Sequence, residues 1–208
     1  MFFEEKSFEG LRYLVRYPNG FFPDRKYPLI IMLHGAGTRG SNIDKLRENH
    51  YFMITERYTD FEFVTVAPLC EADSWLDCFE TLCRLVRHVT ELPFCDSRRV
   101  YAVGQSMGGY ATWQIAMSMP EVFAAILPIC GGGMYWNAER LKEVPVWAFH
   151  GELDTTVLPS ESENMVKAVN KAGGQARLTV FPGVNHSSWL NTYKDREVFR
   201  WLLSHSKG

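Results

Sequence analysis

Three residue types that together perform nucleophilic acyl transfer fall along this chain in the order Ser106, Asp154, His186. A serine hydroxyl attacks a carbonyl only when a neighbouring base takes its proton, and that base works best when a carboxylate orients it. Ser106 stands in Val103-Gly104-Gln105-Ser106-Met107-Gly108-Gly109, of the form G-x-S-x-G, where an apolar run ends and a helix-forming stretch begins. A strand turning sharply into a helix forces a strained backbone at the nucleophile, and small residues two positions to either side let the chain pass. The hydroxyl then projects over the positive end of the helix. A helix N-cap in a glycine-rich turn is the plainer use of such a serine, and the strand-to-helix context argues against it.

His186 follows the last apolar run, in Phe181-Pro182-Gly183-Val184-Asn185-His186-Ser187-Ser188-Trp189, and is the candidate base. Asp154 lies in His150-Gly151-Glu152-Leu153-Asp154, just past another such run, and is the candidate carboxylate. Glu152 is its nearest rival but stands closer to the strand end. Of the other histidines, His50, His88 and His205 read as solvated helix faces. His34 and His150 sit beside glycines at strand ends and are expected to hydrogen-bond beneath the site. The nucleophile–acid–base order is that of α/β-hydrolases and differs from those of chymotrypsin and subtilisin.

The developing oxyanion needs backbone donors. Leu33-His34-Gly35-Ala36-Gly37 ends the first central run, which places one donor on the N–H of Ala36, with Gly37 beside it. The other falls on Met107, the residue after the nucleophile. Four aromatic residues on the same edge, Trp75, Tyr135, Trp136 and Trp189, are candidate walls of a substrate pocket.

These residues need a frame that brings distant strand ends together. Leu11–Tyr17 alternates apolar and polar residues and ends at Pro18-Asn19-Gly20. Continuous apolar runs follow at 29–33, 61–67, 100–103, 124–129, 146–149 and 178–181, each closed by Gly or Pro. Runs apolar on both faces suit strands of a parallel sheet covered on both sides. Helical spacing joins Leu82, Leu85, Val86 and Val89; Met165, Val166 and Val169; and Val198, Trp201 and Leu202. The stretch 107–119 is also rich in helix formers. The alternation predicts one α/β domain over residues 1–208, with ligands bound beyond the carboxyl ends of the strands.

Composition agrees with an ordinary globular chain of 208 residues, 46% hydrophobic and 22% charged. With 22 basic against 24 acidic residues, no broad phosphate footprint exists, so nucleic acid is not an expected partner. No stretch of 18 apolar residues is present and no membrane association is expected. The acidic start, Met-Phe-Phe-Glu-Glu-Lys, lacks the apolar core of a signal peptide, and the five cysteines are odd in number. Reduced thiols in a cytoplasm are the resulting expectation. None of the cysteines forms a Cys-x-x-Cys pair, so no zinc or redox motif is read, and a serine mechanism is expected to need no metal or organic cofactor.

The chain resembles the small bacterial α/β-hydrolase carboxylesterases described as predicted peptidases or prolyl-oligopeptidase-like. These are relatives of dienelactone hydrolases, feruloyl and acetylxylan esterases, and polyhydroxybutyrate depolymerases. The resemblance is carried by Tyr27-Pro28 through Gly37, Val66-Ala67-Pro68 with Trp75, Gly104 through Gly109, His150 through Asp154, and His186-Ser187-Ser188-Trp189. It implies an α/β-hydrolase fold, a mostly parallel central sheet flanked by helices on both faces; the chain itself has no insertion long enough to form a helical lid. It also implies Ser106 as nucleophile, Asp154 as acid, His186 as base, and donors at Ala36 and Met107. Ser187 departs from relatives that often carry an acidic residue there.

The expected activity is a serine carboxylesterase, a monomer or homodimer acting on a small-molecule ester. Feruloyl or acetyl ester hydrolysis on plant polysaccharide fragments, thioester hydrolysis and dienelactone-type hydrolysis are the alternatives on the same residues. A catalytically silent binding module is the alternative of another class.

Overall fold

The computed structural model describes residues 2–208. Eight strands form one sheet: β1 (Phe2–Phe8), β2 (Leu11–Tyr17), β3 (Tyr27–Leu33), β4 (Val64–Pro68), β5 (Cys95–Gln105), β6 (Ala125–Ile129), β7 (Val146–Gly151) and β8 (Ala176–Phe181). Their spatial order is β1-β2-β4-β3-β5-β6-β7-β8. β2 alone runs against the others. Helices α1 (Asp44–Arg47), α2 (His50–Thr55), α3 (Phe79–Thr90), α4 (Met107–Ser118) and α5 (Pro159–Lys171) fill the connections, and α6 (Trp189–Lys194) and α7 (Arg196–Leu203) follow β8.

The central strands bury both faces because their side chains alternate between two cores, while β1 and β8 form the sheet edges and are only partly covered. Leu29, Ile31 and Leu33 of β3 join Val100 and Ala102 of β5 in one core, beneath α3, α4 and α5. Ile30 and Met32 join Tyr101 and Val103 in the other, beneath α2, α6 and α7. This is why the sequence shows unbroken apolar runs where a one-sided sheet would show alternation.

β1 is not among the strands expected from the sequence. It reads Phe-Phe-Glu-Glu-Lys-Ser-Phe and is mostly exposed, because it forms the sheet edge. Charges suit an edge, since they discourage pairing with another chain. It reaches β2 through a two-residue turn in which Glu9 and Gly10 both have positive φ, 48° and 84°. That is the backbone a tight hairpin requires, here achieved without the usual Asn-Gly.

Next along the chain after β3, β4 pairs on one side of it, while the following strand, β5, pairs on the other. The reversal leaves a crevice beyond the carboxyl ends of β3 and β5, the place where open α/β sheets bind ligands. His34-Gly35-Ala36 leaves β3 and Ser106 leaves β5 at that point.

Candidate active site

Ser106 occupies the single residue between β5 and α4, with φ 55° and ψ −120°. A non-glycine residue in this region stores roughly 1–3 kcal/mol of strain that the surroundings must hold in place. They do so by close packing. A Cβ on Gly104 would strike the Gly108 carbonyl oxygen and Thr112 Oγ1, and one on Gly108 would strike the Leu33 carbonyl oxygen. Ser106 N–H donates to the Ile129 carbonyl at 2.9 Å, tying the turn to β6.

Asp154 lies three residues beyond β7. Gly151 at the end of that strand lies so close to Val184 and Asn185 that a Cβ there would meet both carbonyl oxygens. Leu153 N–H donates to the Val184 carbonyl at 2.8 Å. The loop carrying Asp154 and the loop carrying His186 are thereby held together. Ser106 Oγ lies 2.8 Å from His186 Nε2, and His186 Nδ1 lies 2.7 Å from Asp154 Oδ2. Asp154 Oδ1 accepts the N–H groups of Thr156 and Val157 at 2.9 and 3.0 Å. Burial alone would raise the Asp154 pKa, but the hydrogen bonds from His186, Val157 and Thr156 outweigh it and hold the carboxyl below its ordinary value. The carboxylate is fully buried, whereas the His186 side chain retains 21% exposure and opens toward solvent. Glu152, the rival carboxylate, accepts from Gly183 N–H at 2.8 Å on the surface and takes no part in this line.

A short helical turn over Ala36–Thr38 follows β3. Its first N–H, on Ala36, and that of Met107, the first residue of α4, have no acceptor within their own helices. His34 anchors this turn from below. Its Nδ1–H donates to the Gly35 carbonyl at 2.8 Å, and its Nε2 accepts the Cys70 N–H at 3.0 Å. Those partners select one neutral tautomer. Burial pushes the His34 pKa down to about 4. His150 is likewise buried, with Nδ1 2.8 Å from Ser162 Oγ and Nε2 3.2 Å from Asp154 Oδ2.

Two cavities flank Ser106. A groove of about 610 Å³ contains Ser106, His186, Ala36 and Gly37 and is completed by Lys45, Glu48, His50 and Trp189. An apolar cavity of about 610 Å³ borders Met107 and is walled by Trp75, Leu76, Phe79, Tyr110 and Met134. Trp189 stands edge-on to the His186 ring at 5.4 Å between centroids. Trp75 is nearly wholly buried and donates its Nε1–H to the His34 carbonyl at 3.0 Å, so it presents an edge to the cavity and supports the loop behind it.

Tyr135 and Trp136 depart from their expected place: they line neither cavity and are 54% and 72% exposed. They open the helical turn Tyr135–Leu141, whose buried residues are Ala138 and Leu141. With that face turned to the core, the aromatic pair points outward and packs edge-on against itself at 5.3 Å. His50 lines the groove, although it reads in the sequence as part of a solvated face. Lys45, Glu48, Leu76, Phe79, Tyr110 and Met134 carry no motif and become visible as site residues only through the fold.

Among the described residues, Cys130, Asp154 and His186 form a cluster of metal-ligating types, their ligand atoms within 4.8 Å of one another. They fit a metal poorly. Asp154 and His186 already bind each other, and burial pushes the Cys130 thiol up to about 12, away from the thiolate a metal requires. All five cysteines are free, and no helix among the described residues is long and apolar enough to cross a membrane.

The profile of the Dienelactone hydrolase family matches residues 73–198, well over half of the chain. The chain belongs to this family. It is an α/β hydrolase, and solved structures agree. A thermostable esterase superposes with a TM-score of 0.89 at 34% identity, over 99% of this chain and 63% of that one. Feruloyl esterase B of Piromyces equi is 28% identical over 164 residues, which is 70% of this chain and 29% of the relative. Dipeptidyl-peptidase 5 of Porphyromonas gingivalis is 23% identical over 152 residues, 53% of this chain and 22% of the relative. The chain thus spans less than a third of the length of these two curated relatives. Est1E from Butyrivibrio proteoclasticus, at 15% identity and a TM-score of 0.72, shares the fold.

Proposed function

We propose that this hydrolase is a serine carboxylesterase that cleaves small carboxylic esters through an acyl-enzyme intermediate. The observation that carries the reading is the continuous line from Ser106 Oγ through His186 to Asp154, at 2.8 and 2.7 Å. His186 Nε2 takes the hydroxyl proton as Ser106 Oγ bonds to the ester carbonyl carbon. The carbonyl oxygen becomes an oxyanion facing the N–H groups of Ala36 and Met107. The tetrahedral species expels the alcohol, which receives its proton from His186. Water then attacks the acyl-serine, giving a proton to His186, and the carboxylic acid leaves as the proton returns to Ser106. Asp154 stays ionised and holds His186 in the tautomer that accepts at Nε2. The relatives named as esterases support ester over peptide as substrate.

A second reading, hydrolysis of feruloyl or acetyl esters on polysaccharide fragments, is favoured by the aromatic wall of the apolar cavity and by the Piromyces equi relative. Initial rates on 4-nitrophenyl esters test the main proposal. Wild type should turn over and bind a fluorophosphonate covalently. Ser106→Ala should lose about 10⁴-fold or more in kcat, with an unchanged circular dichroism spectrum. A folded mutant that keeps most of the activity would remove Ser106 from the chemistry.

A further inference from the structure

We infer that the two cavities divide the substrate at its ester bond. The acyl group, medium-chain or aryl, enters the apolar cavity, and the alcohol, polar and hydroxylated, occupies the groove. This rests on the serine esterase reading and adds to it the direction in which the ester lies.

The geometry supplies the direction. A carbonyl carbon on Ser106 Oγ, with its oxygen toward the Ala36 and Met107 N–H groups, has two substituents left to place. The leaving oxygen must lie within reach of His186 Nε2, because that nitrogen gives it a proton. His186 lines the groove and is absent from the apolar cavity. The alcohol therefore leaves through the groove. The acyl chain must extend to the other side, past Met107, where the apolar cavity begins at the residue following the nucleophile.

The walls then specify the chemistry. On the acyl side stand Trp75, Leu76, Phe79, Tyr110 and Met134, and about 610 Å³ far exceeds what an acetyl group fills. Such a surface favours apolar area removed from water. On the alcohol side Lys45, Glu48 and His50 mix both signs of charge with donors and acceptors. All three are solvent-exposed, so they can hydrogen-bond a neutral polyhydroxylated group, while an alkyl chain gains nothing from them.

Two selectivity ratios test the division. The first compares kcat/KM for methyl octanoate with that for methyl acetate. The second compares 1-octanoyl glycerol with methyl octanoate, so that the acyl group is constant. Wild type should show both ratios above about tenfold. Leu76→Asp puts a charge on a side chain that is 68% exposed, so folding is not at stake. It should lower the first ratio about tenfold and spare the second. Lys45→Ala with His50→Ala should lower the second and spare the first. Ratios that respond the other way round, or an acyl preference that declines from acetate to octanoate, would overturn the division while leaving the esterase in place. Failure of wild type both to turn over any ester and to take up a fluorophosphonate would overturn the esterase reading, and the division with it.

Discussion

His150 Nε2 lies 3.2 Å from Oδ2 of Asp154, the same oxygen that His186 Nδ1 meets at 2.7 Å. One carboxylate oxygen therefore serves two histidines, one fully buried and one open to the groove. His150 Nε2 also lies 2.9 Å from the Val157 carbonyl. Both partners of that nitrogen are acceptors, so it must be a donor. Under the proposed mechanism His150 is a positioning residue that acts by fixing where Asp154 holds His186. Its replacement by leucine removes a hydrogen bond to a buried charge, worth about 1.5–3 kcal/mol. We expect kcat to fall about ten- to a hundredfold with little change in KM, and His150→Gln, which can keep a donor, to recover part of the loss. Equal losses in the Leu and Gln variants would mean the ring serves packing alone.

The closest approach in the nucleophile turn is made by Gly108, where a Cβ would meet the Leu33 carbonyl carbon at 2.5 Å and the His34 oxygen at 2.8 Å. All of these atoms are backbone and cannot step aside cheaply. Gly108→Ala should cost about 3 kcal/mol, a fall in Tm of about 6–12 °C. Gly37, in the neighbouring loop, has nothing within 4 Å of a built Cβ. Gly37→Ala should leave Tm within about 2 °C. Calorimetry on the two variants checks this contrast, and a similar Tm for both would contradict it.

His34 makes stability depend on acid. Its pKa is pushed down from 6.5 to about 4 by burial, so the unfolded chain takes up the proton first as pH falls. Its contribution is complete above pH 6.5 and is lost progressively toward pH 4, by about 3 kcal/mol in all. The depressed Asp154 carboxyl loses its own contribution further down, below its ordinary value of 3.8, so the two windows separate. Thermal melts from pH 7 to 4 should show wild-type Tm falling more steeply than that of His34→Asn or His34→Gln. Parallel curves would show that His34 is not the group responsible.

Much of the frame is legible in the residues themselves. Six apolar runs closed by Gly or Pro correspond to β3 through β8; for the central ones the reason is that a strand buried on both faces has few polar positions to interrupt it, whereas β8 is a partly exposed edge. The line of Ser106, Asp154 and His186 is foreshadowed by G-x-S-x-G and by two loops directly after apolar runs. A site beyond the carboxyl ends of the strands needs special backbone at each of those points. Asp154 and Glu152 differ in the sequence only by two residues of distance from the strand end, and the loop geometry separates them by turning Glu152 outward to Gly183.

What the tertiary structure alone decided is whatever depends on which side of an element faces inward. β1 is charged because it is an edge, and no local pattern separates an edge strand from a polar tail. Tyr135 and Trp136 are as aromatic as Trp75 and Trp189, yet the core claims Ala138 and Leu141 and turns the first two out. Lys45, Glu48 and His50 look like any solvated helix residues until the switch between β3 and β5 brings them to Ser106. A motif marks where the backbone is constrained locally. The walls of a pocket come from side chains far apart in sequence, and only the closed sheet and its helices bring them together.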